Sequence, residues 1–308
     1  MYMYLPIALT SVNYLVVVGL GLAVGLLSGL FGVGGGFLMT PLLMMIGIPP
    51  TIAAATDANQ IVAASASGCF SHWRLGNVDA KMGILLTLGG FAGGAVGVQI
   101  IKILRAAGGA DFLIKMTYVL MLGGVGSFMF FESLAALKKN KQAPAAKAAA
   151  AAPAKKGGFL SSLPLQTHFE KSGITQSAIV PLVLGVFVGV LAAIMGVGGG
   201  FIMVPVMIYL LRMPMHVVVG TGLFQVLFTC IEVTILQAHQ NHTVDFFLAL
   251  LLLIGSVFGA QIGTALGKKL HGDQLKILLA MIVLAVTVKI VLELVLEPSL
   301  LLAYAGGH

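Results

Sequence analysis

Two stretches decide the fold: FGVGGGFLMTP at 31–41 and MGVGGGFIMVP at 195–205. Each sets three consecutive glycines in front of a short apolar run. Glycine in a helix interior costs roughly 1 kcal/mol relative to alanine, so each cluster predicts a helix break. The apolar run resumes at Phe37 and at Phe201, and each break is expected to open a new helix there. Pro41 and Pro205 would kink an isolated span, but five residues into a short helix they lie close to its first turn and cost less.

Working outward, the 308 residues are 59% hydrophobic and only 9% charged. Soluble globular proteins carry roughly 25% charged residues, so an ordinary water-exposed surface is excluded. A mean hydropathy of +1.06 places the chain in a bilayer. A span needs about 20 mostly apolar residues. Stretches of that length run over 12–30, 52–71, 83–104, 112–132, 178–195, 216–238, 246–267 and 275–296. The runs 37–48 and 201–211 are shorter and read as half-helices.

The chain repeats itself. Phe37 maps to Phe201, a shift of 164; then Thr56 and Gln60 map to Thr221 and Gln225, and Val78-Asp79 to Val244-Asp245. Gly93-Gly94-x-x-Gly97 maps to Gly259-Ala260-x-x-Gly263. Paired glycine-interrupted segments in two halves are the sequence mark of a transporter built from repeats. The expected fold is therefore all-α: a polytopic membrane protein of two repeats, 1–137 and 177–308, with broken or re-entrant helices. Between them, 138–176 begins KKNKQAPAAKAAAAAPAKKGGFL and reads as a solvated Ala/Lys/Pro-rich linker.

The net charge is +7, and its basic residues concentrate in and beside that linker, from Lys138 to Lys171. Cytoplasmic loops are rich in Lys and Arg, which puts the linker inside. Counting spans outward, Arg74, Lys81, Arg212, Lys268, Lys269 and Lys276 then fall inside. The 239–245 loop and both termini, free of Lys and Arg, fall outside; Arg105 and Lys115 break the pattern. The two halves begin on opposite sides, so the repeats are expected to be inverted. The N-terminus lacks the basic flank of a signal peptide, and its first apolar stretch is read as structure. Lipid is the implied partner, a homodimer is compatible with the sequence, and no basic surface interleaved with aromatics points to nucleic acid.

The helices opened at the glycines expose N–H groups with partial positive charge, which attract anions without Lys or Arg. Gly34, Gly35, Gly36, Gly198, Gly199 and Gly200 are the candidates for holding one. Thr56, Asn59 and Gln60, with Thr221 and Gln225, follow on the next helix. Thr56 and Gln60, four apart, share a face and could complete an anion's hydrogen bonds. Asp57 and Glu232 are ionisable residues in spans, functional candidates by default, and are candidates for proton coupling. The spacing of Gly21, Gly25, Gly29 and of Gly255, Gly259, Gly263, Gly267 reads as helix-packing faces. Cys69 and Cys230 read as small buried hydrophobes, and His72, His239 and His242 as surface groups. No catalytic set, metal site or cofactor motif stands in the spans, and the glycine cluster lacks the Lys-Ser/Thr of a phosphate loop.

The doubled G-x-G-G-G-F-x-x-x-P pattern, the Thr and Gln after each copy and the glycine helix resemble the sulfite exporter TauE/SafE family, over about 14–104 and 178–296. The resemblance implies a bacterial inner-membrane secondary transporter that exports sulfite, sulfoacetate or a related sulfonate by alternating access, or imports another small organic anion. It also implies roles for Pro41 and Pro205 beside the glycines, threonines and glutamines named above. The sequence departs from perfect duplication at Asp57, opposite Gly222.

Overall fold

The computed structural model describes residues 2–31, 36–139, 165–169, 171–211, 213–267 and 272–296. Gly34, Gly35, most of the expected linker, Arg212, Lys268, Lys269 and the last twelve positions lie outside the described residues. The first half comprises α1 (Tyr14–Phe31), α2 (Gly36–Met45), α3 (Pro50–Arg74), α4 (Ala80–Ala106) and α5 (Ala110–Lys139). The second comprises α6 (Ile179–Met195), α7 (Gly200–Pro205), α8 (Met215–Leu236), α9 (Phe246–Gly267) and α10 (Gly272–Leu296). Short π-helical turns, Val206–Leu210 and Gln237–Asn241, extend α7 and α8. Each of the eight long expected spans has its helix, and each short one begins at its glycine cluster.

This is an all-α membrane protein. By length and composition, Ala80–Ala106, Val217–Asn241 and Phe246–Gly263 can cross a bilayer, with Tyr14–Leu27, Gly36–Met45 and Ile179–Met195 as shorter apolar helices. Leu88, Phe187, Phe258 and Val288 stand exposed on the outside, as a lipid-facing surface requires.

A helical reading missed two small β-hairpins. β1 (Tyr2–Leu5) pairs antiparallel with β2 (Thr10–Asn13), and β3 (Gln166–Phe169) with β4 (Ile174–Ser177). The second falls in the stretch read as linker. Their positions differ by the same 164 residues as the glycine clusters, so each half opens with a hairpin. Leu5 and Phe169 are the buried anchors at matching places.

The halves interlock by exchanging helices. α1 packs on α9, and its counterpart α6 packs on α4. Both seams are made of glycine. A Cβ on Gly25 would fall on the backbone of Ser256, and one on Gly259 on that of Leu22. In the other seam, a Cβ on Gly189 would fall on Gly90 and one on Gly93 on Val186. Lipid gives no hydrophobic drive for helices to associate, so close backbone approach through small residues supplies the packing. Between the seams α3 and α8, counterparts in the two halves, pack antiparallel: Gly220 meets Asn77 and His72, Gly68 meets Leu223, and Ile61 clusters with Val226 and Cys230. α5 and α10 form a further pair.

The repeated Val-Asp pairs fix the two ends. Asp79 caps α4 by accepting from Met82 N at 3.2 Å, while its other oxygen accepts from Ser172 N (3.1 Å) and Ser172 Oγ (2.6 Å) in the second hairpin's turn. Asp245 accepts from Leu248 N at 3.2 Å and from Ile7 N, in the first hairpin's turn, at 3.3 Å. Each hairpin is thereby tied to the other half. Arg105, which broke the charge pattern, donates to the backbone carbonyl of Asn241 and so holds the end of the π-helical turn after α8.

Candidate functional site

The second glycine cluster breaks its helix, while in the first, residues 32–35 lie outside the described residues. α1 stops at Phe31 and α2 starts at Gly36. In the second half α6 ends on Gly196, whose N–H donates to Ala192 O, and α7 starts after Gly199. Gly196, Gly198 and Gly199 have φ of +72°, +68° and +72°. That left-handed region costs an L-residue with a side chain roughly 1–2 kcal/mol, so the turn itself demands glycine. Packing demands it again: a Cβ on Gly196 would meet the Ala54 backbone on α3, and one on Gly198 would lie 2.6 Å from Cys230 Sγ on α8.

The start of α2 and the second-half break come together at one side chain of α3. A Cβ on Gly36 would fall on Ile61, and one on Gly198 would stand 3.4 Å from Ile61 Cγ2. Around this point lie the polar groups. Asp57 is fully buried; its Oδ2 accepts from Thr40 Oγ1 on α2 at 2.8 Å. Its Oδ1 has no partner among the described residues. Thr40 Oγ1 is also 3.5 Å from the carbonyl of Met195, the last residue of α6, and Tyr118 OH on α5 donates to that carbonyl at 2.5 Å. One chain of contacts therefore links α2, α3, α5 and the end of α6.

A second polar stripe runs between α4 and α8. Gln225 Nε2 donates to Thr229 Oγ1 at 3.0 Å. A Cβ on Gly90 would fall on Thr229 Oγ1, and one on Gly94 would come 2.6 Å from Glu232 Oε2. Thr87 Oγ1, Gln225 Oε1 and Glu232 Oε2 are buried oxygens without partners among the described residues, as is Gln60 Oε1 on α3. Buried polar atoms are almost always paired in folded proteins, so these oxygens make the interior between the halves the candidate site.

The expected site residues divide accordingly. Gly36, Asp57, Gln60 and Gly198 stand on or beside the junction, and Gln225 and Glu232 line the stripe. Gly199 backs onto Val188, Gly200 onto Val226, and Asn59 is half-buried. Thr56 and Thr221 serve a different contact: Thr56 Oγ1 accepts from Asp245 N at 3.2 Å, and Thr221 Oγ1 from Asp79 N at 3.0 Å. Each joins its own half to the helix start of the other. Sequence reasoning missed Thr40, Tyr118, Thr87 and Thr229. Thr40 carried a signal, because it stands in the duplicated motif where the second copy has Val204.

A family model described as Sulfite exporter TauE/SafE matches residues 17–290. The chain belongs to this family. Two Bacillus subtilis (strain 168) proteins match it almost end to end. "Probable membrane transporter protein YunE" is 24% identical over 293 residues, 91% of this chain and 98% of the relative. "Probable membrane transporter protein YjnA" is 28% identical over 275 residues, 88% and 97% of the two chains. "Sulfite exporter TauE/SafE family protein 1" of Arabidopsis thaliana is 32% identical over 110 residues, 35% of this chain and 24% of the relative. No solved structure matches. As a TauE/SafE protein the chain is a member of a membrane-transporter family, and the glycine breaks and the stripe lie inside the matched segment.

Proposed function

We propose that this TauE/SafE protein is a secondary transporter that moves a small sulfur-containing anion, such as sulfite, sulfoacetate or a related sulfonate, out across a bacterial inner membrane by alternating access. The observation that carries the reading is the meeting at Ile61 of Gly36, at the start of α2, and Gly198, in the second-half break. Irregular backbone at membrane depth is tolerated where it is buried in protein or lines a cavity, and helix starts there offer partial positive charge to an anion. Gly34, Gly35 and Gly36 on one side and Gly198, Gly199 and Gly200 on the other hold the anion. Asn59, Gln60 and Gln225 complete its hydrogen bonds, and Thr56 and Thr221 hold the helices that carry them. The sulfur chemistry is supported by the names of the family and of its Arabidopsis members.

Inverted repeats underlie the mechanism. Supporting this, the counterpart helices α3 and α8 run antiparallel. The two hairpins also dock at different ends: one with Lys171 beside the Arg74–Lys81 loop, the other beside the Lys- and Arg-free 242–245 loop. The first end is cytoplasmic, with the linker, and both termini are periplasmic. The chain works by transport and not by turnover of a bound substrate.

The test is flux of labelled sulfite, sulfoacetate and simple carboxylates through proteoliposomes, together with thermal shift of the purified protein. A bound anion at a hundredfold its Kd stabilises by about 2.7 kcal/mol. If none of them moves and none stabilises, the anion reading falls. A second reading is import of another small organic anion or other solute, and Asp57 favours the latter, because a carboxylate beside the breaks repels a bare anion. Gradients imposed in both directions separate the two.

A further inference from the structure

Asp57 stands where the halves stop matching. The motif that gives Thr40 in the first half gives Val204 in the second, and the residue opposite Asp57 is Gly222. Neither member of the Thr40–Asp57 hydrogen bond has a polar counterpart. The carboxylate is fully buried, one oxygen is held by Thr40, and the other has no partner among the described residues. Among the described residues no Lys, Arg or His pairs with it. The titratable groups that interact with it are Tyr118 from α5 and Cys230 from α8; α2, α6 and α9 carry no titratable side chain.

A carboxylate withdrawn from water without a cation costs several kcal/mol, and an anion held beside it adds repulsion. One proton on the free oxygen removes both penalties. It also needs no cavity, which matters where a Cβ on Gly36 would already stand 3.6 Å from the other oxygen. We propose that Asp57 is the coupling site of this transporter: Oδ1 takes a proton when the anion is loaded at the adjoining breaks and gives it up when the anion leaves. Proton and anion then cross together, in the direction set by the sum of their gradients. Thr40 and Met195 O carry the occupancy of this one carboxyl to both breaks, since Thr40 belongs to the helix after the first and Met195 to the helix before the second.

The inference rests on the anion-transport reading, and the experiment separates the two. In proteoliposomes, labelled sulfite and sulfoacetate flux is measured from pH 5 to 8 with a proton-sensitive dye inside, with and without sodium, for wild type, Asp57→Asn and Thr40→Val. Solution protonation of the anions is common to all three. Wild type should move protons with the anion, and its rate should fall as the pH rises. Asp57→Asn, whatever its absolute rate, should show only that common pH dependence and, with sulfoacetate, which stays ionised over this range, should move no protons. Thr40→Val keeps the carboxyl and should keep proton movement with a displaced pH profile, which covers the case in which Asp57→Asn does not fold. Proton-coupled flux in Asp57→Asn overturns the assignment. So does wild-type flux indifferent to pH, or flux that needs sodium instead. If wild type neither moves nor is stabilised by either anion, the anion reading itself has failed.

Discussion

On α3, Asp57 is enclosed by Thr40, Gly36 and Ile61; at the matching place on α8, Gly222 has nothing within 4 Å of where a side chain would begin. Elsewhere the halves repeat each other closely. Gly21 and Gly25 of α1 reappear as Gly185 and Gly189 of α6, and Gly89 and Gly93 of α4 as Gly255 and Gly259 of α9. Each set makes the same kind of seam with the other half. The duplicated glycines hold backbone against backbone, and Asp57 is a buried acid in one half alone. The seams must close in the same way in both halves, whereas the proposed coupling would need only one group.

The largest expected effect attacks the matched part. Leucine at Gly25 or at Gly189 would drive a side chain into a facing backbone that cannot yield. Overpacking of this kind costs about 3 kcal/mol or more. Both substitutions should abolish recovery of monodisperse protein in detergent, and to a similar degree. Tolerance of one but not the other would break the equivalence of the seams.

Next come the breaks. Gly198→Ala pays both for its left-handed backbone and for crowding Cys230, about 2–3 kcal/mol in all, read as a lowered Tm. Cys230→Ala should relieve only part of the crowding, because Val226 Cγ1 would stand 2.7 Å from the same Cβ, and Cys230→Ala with Val226→Ala should relieve most of it. Neither should help Gly196→Ala, whose obstacle is the Ala54 backbone. Gly36 lies inside α2 and faces the flexible end of Ile61, so Gly36→Ala should cost less than Gly198→Ala and be eased by Ile61→Val.

These glycines were legible because their requirement is written in residue type: hydropathy gave the eight long helices, contiguous glycines gave the breaks, and four-residue spacing gave the packing faces. The hairpins were not. Tyr2–Asn13 and Gln166–Ser177 share no identical residue at matching positions, although both form the same four-residue ladder. Backbone bonds hold them, and backbone leaves little trace in sequence. Thr56 and Thr221 were found by repetition, but their hydroxyls turned out to face the backbone of Asp245 and Asp79, a partner no single-helix argument can supply. The stripe of Thr87 and Thr229 was hidden for the same reason, since it exists only once α4 lies on α8.

The end caps sharpen the comparison at smaller scale. Losing an Asp cap costs about 0.5–2 kcal/mol. Asp79 holds two donors on Ser172 where Asp245 holds only Ile7 N, so Asp79→Ala should be worse than Asp245→Ala by about one hydrogen bond, roughly 1 kcal/mol. In a Ser172→Ala background the two should converge. A persistent gap would mean that the hairpins are held by something other than these carboxylates.

The smallest effects should come from Thr56→Ser and Thr221→Ser. Each keeps the hydroxyl that accepts the facing N–H and loses only a methyl group, about 1 kcal/mol or less of stability. Valine is the contrasting substitution, because it leaves a buried N–H without an acceptor and should cost about 1–3 kcal/mol. If these threonines only join the halves, the serine variants should transport with unchanged KM, and the two valine variants should lose Tm by similar amounts. A raised KM in Thr56→Ser at unchanged Tm would instead put its side chain in contact with the anion. The same result in Thr221→Ser would mean that the contact is shared by both halves, and its absence there would add Thr56 to the side of the molecule that Asp57 already sets apart.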